Sequence, residues 1–239
     1  MFCRKAANQY SNCQYFISCP DYSSKETYGL CIHEEETRWI LTMKRAGIQK
    51  RYWKIEFENL LESIRQTETY RKAKYYAEHL PEALHHGYGF GLFGGNGVGK
   101  TSLLCCILKA ALRNGYSALL VETPDLPVIM GKRKSKREED DNLDSLEERL
   151  FQDDLVLLDD LGAGSEEENA LACLQRIVLR RVNEMKPILF TCDLTPNEVA
   201  RHWMMAGYNR VYDRLRSGAY ISILEGENLR DREACFLGK

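Results

Sequence analysis

A glycine-rich run with one lysine is the part of the sequence whose residue types point most directly to chemistry. Gly94 is followed after four residues by Gly99, Lys100 and Thr101, which completes the phosphate-loop pattern. In such a loop, glycines let backbone N–H groups face phosphate oxygens, the lysine reaches the β- and γ-phosphates, and the hydroxyl binds Mg²⁺. The sequence therefore predicts a nucleoside triphosphate site formed by consecutive residues: Gly95, Asn96, Gly97, Val98, Gly99, Lys100, Thr101 and Ser102.

An acidic pair at the end of the apolar run Leu155–Leu158 supplies the second part of such a site. Parallel sheets bind ligands at the carboxyl ends of their strands, where Asp159 and Asp160 are expected. Asp159 suits Mg²⁺ coordination, and Asp160 suits orienting and activating an attacking water. Asp193 follows the next apolar run, Ile188–Cys192, and is a candidate contact to the γ-phosphate or the water.

Arginines late in the chain are candidates to stabilise negative charge that develops in a reaction. Arg210 and Arg214 lie four residues apart on one face of a predicted helix, where an exposed arginine could reach a neighbouring subunit's γ-phosphate. A salt-bridged surface helix, with Asp213 as the partner, is the alternative. Arg230 could close over the phosphates within the same chain.

Strands and helices alternate around these motifs, and that order predicts an α/β fold with a parallel sheet covered on both faces. The predicted strands are Tyr88–Phe93, Ala118–Glu122, Leu155–Asp159, Ile188–Cys192 and Tyr220–Leu224. The predicted helices are 58–80, closed by Pro81, then Thr101–Asn114, 142–151, 166–184, 196–206 and 208–216.

Composition restricts the classes of protein that the chain can belong to. The net charge of −2 gives no overall field that attracts nucleic acid, so any DNA contact must come from local patches. The sequence has no signal peptide and no apolar run long enough to span a bilayer, which predicts a cytoplasmic protein without membrane contact. Thiols stay reduced in that compartment. Five of the nine cysteines are expected to be small core hydrophobes: Cys105, Cys106, Cys173, Cys192 and Cys235.

The other four cysteines crowd the first part of the chain, where residues 1 to about 40 are polar and lack hydrophobic periodicity. They could bind Zn²⁺ as tetrahedral thiolates, with His33 as an alternative fourth ligand, and the metal would supply folding energy. Their spacing is irregular, and the alternatives are a disordered tail with stray thiols or thiols oxidised as an artefact. The candidate ligands are Cys3, Cys13, Cys19 and Cys31. The sequence thus predicts a cysteine-rich module over 1–43 and an ATPase domain over 44–239.

A charged segment between the second and third predicted strands has two interpretations. Its basic block is followed directly by the acidic residues 138–141, so it is either a solvated loop or a contact to the phosphates of single-stranded DNA. The candidate DNA ligands are Lys132, Arg133, Lys134, Lys136 and Arg137.

The order and spacing of these segments resemble the AAA+ ATPases of the DnaC/DnaI helicase-loader type, and IstB-type transposition helper ATPases are similar. The resemblance extends over about residues 44–232. It rests on AGIQKRYWKIEFENL, ETYRKAKYYAEHLPEALHHGYGFGLFGGNGVGKTSLL, LVLLDDLG, ILFTCDLT, RVYDRLRSG and NLRDRE. It implies an AAA+ P-loop domain in three layers without a separate lid domain, with ATP and Mg²⁺ as cofactors.

The resemblance also implies a role for each matching position. Lys100 and Thr101 would bind phosphate and Mg²⁺, while Asp159 and Asp160 would be the Walker B pair. Asp193 would be sensor 1, and Arg230 would be sensor 2. Arg214 would be the arginine finger, with Arg210 as the runner-up. Tyr52 and Phe57 would lie near the adenine.

Two positions depart from the pattern of the family. Asp160 stands where many relatives carry Glu, so its carboxylate reaches less far. Asp193 stands where Asn is usual, and its negative charge beside the γ-phosphate would slow hydrolysis or make it depend on a partner.

The function that the resemblance implies is ATP-dependent loading of a hexameric replicative helicase onto single-stranded DNA. The chain would self-associate through its ATP site, and its amino-terminal segment would bind the helicase. One alternative is a transposition helper ATPase that binds target DNA. Another is a nucleotide-gated adaptor with little turnover. A small-molecule kinase fits less well, because the arginines and the acidic pair suit ATP hydrolysis.

Overall fold

The computed structural model describes residues 34–131, 146–161, 168–205 and 209–229. The chain divides into two compact units, the first ending at Trp53 and the second beginning at Lys54. The four amino-terminal cysteines, the basic block 132–137, Cys235 and Arg230 lie outside the described residues. Among the described helices, none combines the length and apolarity needed to cross a membrane.

The first unit contains helix α1, Glu34–Arg45, and a short 3₁₀ helix, Lys50–Tyr52. Thr37, Ile40 and Met43 are buried and recur every three residues, so they share one face of α1. The expectation that residues up to about 40 lack hydrophobic periodicity is therefore wrong for α1. A threonine at one of the buried positions conceals the pattern in the sequence.

The second unit is built on a five-stranded parallel sheet in the order β2-β3-β4-β1-β5. All residues of β1, β3 and β4 are buried, which explains why these strands are almost continuously apolar in the sequence. The sequence predicts every strand to within one residue at either end. The observed strands are β1 Gly89–Phe93, β2 Ala118–Glu122, β3 Leu155–Asp159, β4 Ile188–Cys192 and β5 Ala219–Ile223.

Helices cover both faces of this sheet. Helix α8 packs against α10, and their apolar side chains join alternate strand residues such as Val156, Leu158 and Phe190 in one large cluster. Helix α5 contacts β2, β3 and β4, and its buried side chains lie outside that cluster, on the opposite face. The helices of this unit are α2 Glu62–Arg65, α3 Glu68–Glu78, α4 Leu80–His86, α5 Lys100–Arg113, α6 Leu126–Gly131, α7 Leu146–Gln152, α8 Glu168–Asn183, α9 Pro196–Met205 and α10 Asn209–Gly218, with 3₁₀ helices at Phe57–Asn59 and Thr123–Asp125.

The single helix predicted over 58–80 is wrong, because three separate helices occupy this region. Thr67 interrupts it by capping α3, where its hydroxyl accepts a hydrogen bond of 3.0 Å from the N–H of Tyr70. Pro81 does not close a helix but lies in the first turn of α4, where a missing N–H costs nothing. Helix α6 was not predicted. Residues 224–229, the described part of the chain after β5, form no helix.

The cysteines of the second unit behave as small core residues. Cys105, Cys106 and Cys192 are buried, and Cys173 is partly buried. Burial raises the pKa of the Cys106 and Cys192 thiols to about 12, so both stay protonated and unreactive at neutral pH.

Candidate nucleotide site

The phosphate loop connects the end of β1 to the first residue of α5. Gly97 and Gly99 have φ angles of 78° and 99°, a left-handed conformation that glycine adopts without strain. A Cβ atom at Gly97 would lie 1.8 Å from the side-chain oxygen of Asn228, so the loop is also closely covered there. Because α5 begins at Lys100, its free N–H groups and the positive end of its dipole lie at the loop and favour an anion.

The side chain of Lys100 is held by three protein oxygens. Its ammonium group donates hydrogen bonds of 2.8 Å to the carbonyl oxygens of Gly94 and Gly95, and one of 2.6 Å to Oδ1 of Asp193. Lys100 is only 6% exposed, whereas the Asp193 side chain is 30% exposed. All three ammonium protons are used, and the anion that Lys100 binds is the carboxylate of Asp193.

Three threonines position Asp159. The hydroxyls of Thr101 and Thr191 donate to its Oδ1 at 2.9 and 2.6 Å, and Thr123 donates to its carbonyl oxygen at 2.9 Å. Because the proton of the Thr101 hydroxyl points to Asp159, the oxygen lone pairs remain available to a cation. A hydroxyl and a carboxylate in contact are oxygen ligands of the kind that Mg²⁺ prefers, so these residues fit that metal.

The backbone conformation of Asp160 and the charged groups around it both shape its chemistry. Its φ angle is 60°, a left-handed conformation that Asp tolerates better than most residues, and its N–H donates to the Thr191 hydroxyl at 2.8 Å. Burial raises the pKa of Asp160, and the negative charges of Asp193 and Asp159 raise it further, against the opposing charge of Lys100. Three carboxylates around one ammonium leave an excess of negative charge, which a divalent cation would neutralise.

The structure thus brings together most of the residues that the sequence selects from three separate strand ends. β3 and β1 both neighbour β4, so Asp159, Asp160, Asp193 and Lys100 meet at the same edge of the sheet. Their chemical roles remain predictions.

Sequence reasoning missed Thr191, which links the two acidic residues. It is 2% exposed, and it is the one hydroxyl in an otherwise apolar strand, β4. A single polar residue near the carboxyl end of an apolar central strand was the available signal.

Two apolar residues beside the loop were also missed. A Cβ atom at Gly99 would lie 2.6 Å from Ile64 and 3.6 Å from Leu229. The N–H of Leu229 donates a hydrogen bond of 3.0 Å to the carbonyl oxygen of Gly97. No spacing rule links these positions to the loop, so the sequence offers no signal for them.

The two aromatic residues assigned to the adenine are both buried. Phe57 packs edge-on against Tyr70, with ring centroids 5.9 Å apart. Tyr52 belongs to the first unit, where the guanidinium of Arg51 lies 4.7 Å from the centroid of its ring. Their contact with a base stays a prediction.

The candidate finger residues lie on α10. Val211 and Leu215 are buried and hold this helix on the core, while Arg210 and Arg214 are exposed. Within the described ranges, no ion pair joins Arg214 to Asp213, the partner that a salt-bridged surface helix would supply.

Fold and site together define a P-loop protein with the AAA+ fold. Within that class, the chain matches the model of the IstB-like ATP-binding proteins over residues 20–234 and belongs to that family.

Individual relatives agree with this assignment. The replicative helicase loader DnaI of Bacillus subtilis is 27% identical over 156 residues, which are 60% of this chain and 48% of that protein. The putative ATP-binding protein of insertion sequence IS1162 from Pseudomonas fluorescens is 34% identical over 98 residues, 41% of either chain. The fold is similar to the crystal structure of the DnaC helicase loader, with a TM-score of 0.62 over 74% of this chain and 99% of that chain at 18% identity. The chain spans between 41% and 57% of the length of the relatives it matches in sequence.

Proposed function

We propose that the chain is a Mg²⁺-dependent ATPase that loads a replicative DNA helicase onto single-stranded DNA. The observation that carries the ATPase is the paired arrangement at the sheet edge, where Lys100 contacts Asp193 and Thr101 contacts Asp159. These contacts join the phosphate loop to the two strand ends that carry the acidic residues.

Each residue of the site has a separate task in this proposal. Lys100 binds the β- and γ-phosphates, and Thr101 and Asp159 hold Mg²⁺, which neutralises phosphate charge when it is bound. Asp160 orients the attacking water and accepts its proton, for which a raised pKa makes it a better base than an ordinary aspartate. Arg214, supplied by a neighbouring copy, stabilises charge that develops on the γ-phosphate.

The ATPase is tested by two substitutions that separate binding from turnover. Lys100→Ala should abolish measurable ATP binding, because it removes the cation held inside the loop. Asp160→Asn should keep ATP binding but lose hydrolysis, because only the base is removed. The matched control is Lys54→Ala, an exposed lysine of the same unit, which should change neither. Unchanged affinity in Lys100→Ala would contradict the site assignment.

The loader activity is supported by the relative DnaI and by the similarity of the fold to DnaC. Its direct test is co-purification of the full chain with the replicative hexameric helicase of the same cell, with and without ATP. The complex should form, and turnover should release the loader. The natural compartment of this activity is the cytoplasm.

A transposition helper ATPase is the second candidate, favoured by the family match and by the IS1162 relative. The enzyme core would be the same, but the partners would be a transposase and target DNA. Binding to a transposase encoded beside the gene, without binding to the helicase, would select this candidate.

Two further parts of the proposal concern residues outside the described ranges. We propose that the amino-terminal cysteines hold one Zn²⁺ in a partner-binding module, and that the basic block 132–137 contacts single-stranded DNA. Both rest on residue type and position in the sequence.

A further inference from the structure

A second basic region lies in the first unit, in a stretch of the chain that contains several cations and no acidic residue. Residues 44–53 contain Lys44, Arg45, Lys50 and Arg51, all exposed, and no Asp or Glu. The nearest acidic residues along the chain are Glu36 and Glu56. We call Lys44, Lys50 and Arg51 the lead-in cluster.

The end of α1 folds these residues into one small surface. Gly47, with a φ angle of 73°, donates to the carbonyl oxygen of Lys44 at 3.0 Å, and Ile48 donates to that of Met43 at 2.9 Å. These two bonds form a Schellman turn, which reverses the chain at the end of the helix. The reversal places the 3₁₀ helix that carries Lys50 and Arg51 beside the end of α1.

Trp53 fixes the position of this returning segment. Its indole N–H donates a hydrogen bond of 2.8 Å to the carbonyl oxygen of Ile48. The ammonium group of Lys44 lies 5.7 Å from the centroid of the Trp53 ring. Lys44 is therefore close to the segment that carries the other two cations, although five residues separate it from Lys50 along the chain.

Several basic residues elsewhere in the described part of the protein have acidic partners. Lys72, Arg149 and Arg180 each form an ion pair with a carboxylate four residues away on the same helix. No carboxylate among the described residues pairs with Lys44, Lys50 or Arg51. Like charges gathered without partners repel one another, and a flexible polyanion relieves that repulsion.

We propose that the lead-in cluster binds the phosphate backbone of single-stranded DNA. Phosphates at successive nucleotides match several cations on one small surface, and release of counterions drives such binding. An anionic membrane is a weaker match, because none of the large hydrophobic side chains that are exposed in the described residues belongs to the first unit. This inference extends the proposed function to a DNA-contacting surface, and its test needs no ATP.

The experiment compares two triple variants of the full chain with the parent protein. The test variant carries Lys44→Gln, Lys50→Gln and Arg51→Gln. The control carries Arg71→Gln, Arg201→Gln and Arg216→Gln, three exposed cations of the second unit, so that both variants lose the same charge. Affinity for a fluorescent 20-nucleotide single strand is measured by anisotropy across a series of salt concentrations without nucleotide.

The test variant should bind at least tenfold more weakly at low salt. Its plot of log affinity against log salt should be flatter by about 2, since each phosphate contact to a single strand contributes roughly 0.7 to the slope. The control should keep the parent slope. An unchanged slope in the test variant, or equal flattening in the control, would overturn the proposal.

Two further measurements make the result decisive. If the triple variant does not fold by circular dichroism, Arg51→Gln alone should flatten the slope by about 0.7, and no flattening would overturn the proposal. Sedimentation with vesicles of phosphatidylglycerol and phosphatidylcholine tests the membrane. Loss of vesicle binding with unchanged DNA binding would overturn the assignment to DNA. Neither outcome bears on ATP binding, so failure here is distinguishable from failure of the ATPase.

Discussion

Asp193→Asn tests whether the carboxylate in contact with Lys100 opposes ATP. Asparagine keeps the side-chain oxygen that accepts the hydrogen bond from Lys100, so the substitution removes charge while leaving shape unchanged. We expect the variant to bind ATP more tightly than the parent does, and to gain less affinity for ADP, which lacks the γ-phosphate.

The expected gain in ATP affinity can be worked out from the contact between Lys100 and Asp193 and from the solvent exposure of Asp193. A hydrogen bond between charged groups contributes about 1.5–3 kcal/mol, and an incoming phosphate must compete with it for Lys100. Two like charges about 4 Å apart repel by roughly 1 kcal/mol in water and roughly 4 kcal/mol near a protein surface. Because the Asp193 side chain is 30% exposed, solvent screening favours the lower part of this range. A net gain of about 1–2 kcal/mol is roughly a 5- to 30-fold increase in ATP affinity.

Isothermal titration calorimetry with excess Mg²⁺ measures this directly, with ADP and a non-hydrolysable ATP analogue as ligands. The decisive quantity is the ratio of the affinity for the ATP analogue to the affinity for ADP, because a general change in the site alters both affinities equally. Asp213→Asn is the matched control, because it removes an exposed aspartate from α10 and should leave the ratio unchanged. The same ratio in Asp193→Asn and in the parent would refute the argument that this charge opposes the γ-phosphate.

Three other outcomes are expected. Glu56→Gln should lower the free energy of unfolding by about 3 kcal/mol at pH 7, measured in urea, because it removes the carboxylate charge that lies 3.1 Å from the ammonium group of the fully buried Lys109. Burial raises the pKa of Glu56, but hydrogen bonds from Arg113 and the charge of Lys109 outweigh this and lower it overall. The stabilisation is therefore present above the ordinary pKa of Glu and is lost as the pH falls through the lowered value, so the variant and the parent should converge only once the pH is below that lowered pKa. Arg214→Ala should bind ATP without stimulated turnover, and mixing it with Lys100→Ala should restore some ATPase activity, because an intact site can borrow a neighbour's arginine. Metal analysis of protein purified without chelator should find about one zinc per chain.

Each of these outcomes has its own control. Glu58→Gln, an exposed acid two residues from Glu56, should leave stability nearly unchanged, and an equal loss there would contradict the role of the buried pair. A mixture that stays inactive, although both variants fold and associate, would place the finger elsewhere, with Arg210 next. Well-folded protein that contains no zinc would exclude the metal module.

The sheet was predictable because its residues obey simple rules of burial. A strand buried on both faces must be apolar along its whole length, and a ligand edge must then carry polar residues directly after it. Leu155–Asp159 shows both signals in consecutive positions, and its bounds are confirmed. The contact between Thr101 and Asp159 follows from the same two motifs.

The features that the sequence did not predict depend on contacts between distant residues. Thr191 acts through two hydrogen bonds to residues more than thirty positions away, which no local pattern encodes. The break between α2 and α3 depends on one cap at Thr67, because the helical periodicity continues on either side of it.

The hydrogen bond between Leu229 and Gly97 sets a limit on how far the protein can be shortened. All five strands of the described sheet end by Ile223, and the next residue, Leu224, is fully buried and donates to the carbonyl oxygen of Phe93 at 2.8 Å, so a fragment that stops at Leu224 keeps the whole sheet and should still fold. Such a fragment would nevertheless lose the backbone donor that restrains the phosphate loop and the Asn228 side chain that covers it. We therefore expect residues 225–229 to support the nucleotide site rather than to form a dispensable tail, and a fusion partner attached within them should weaken nucleotide binding without unfolding the domain.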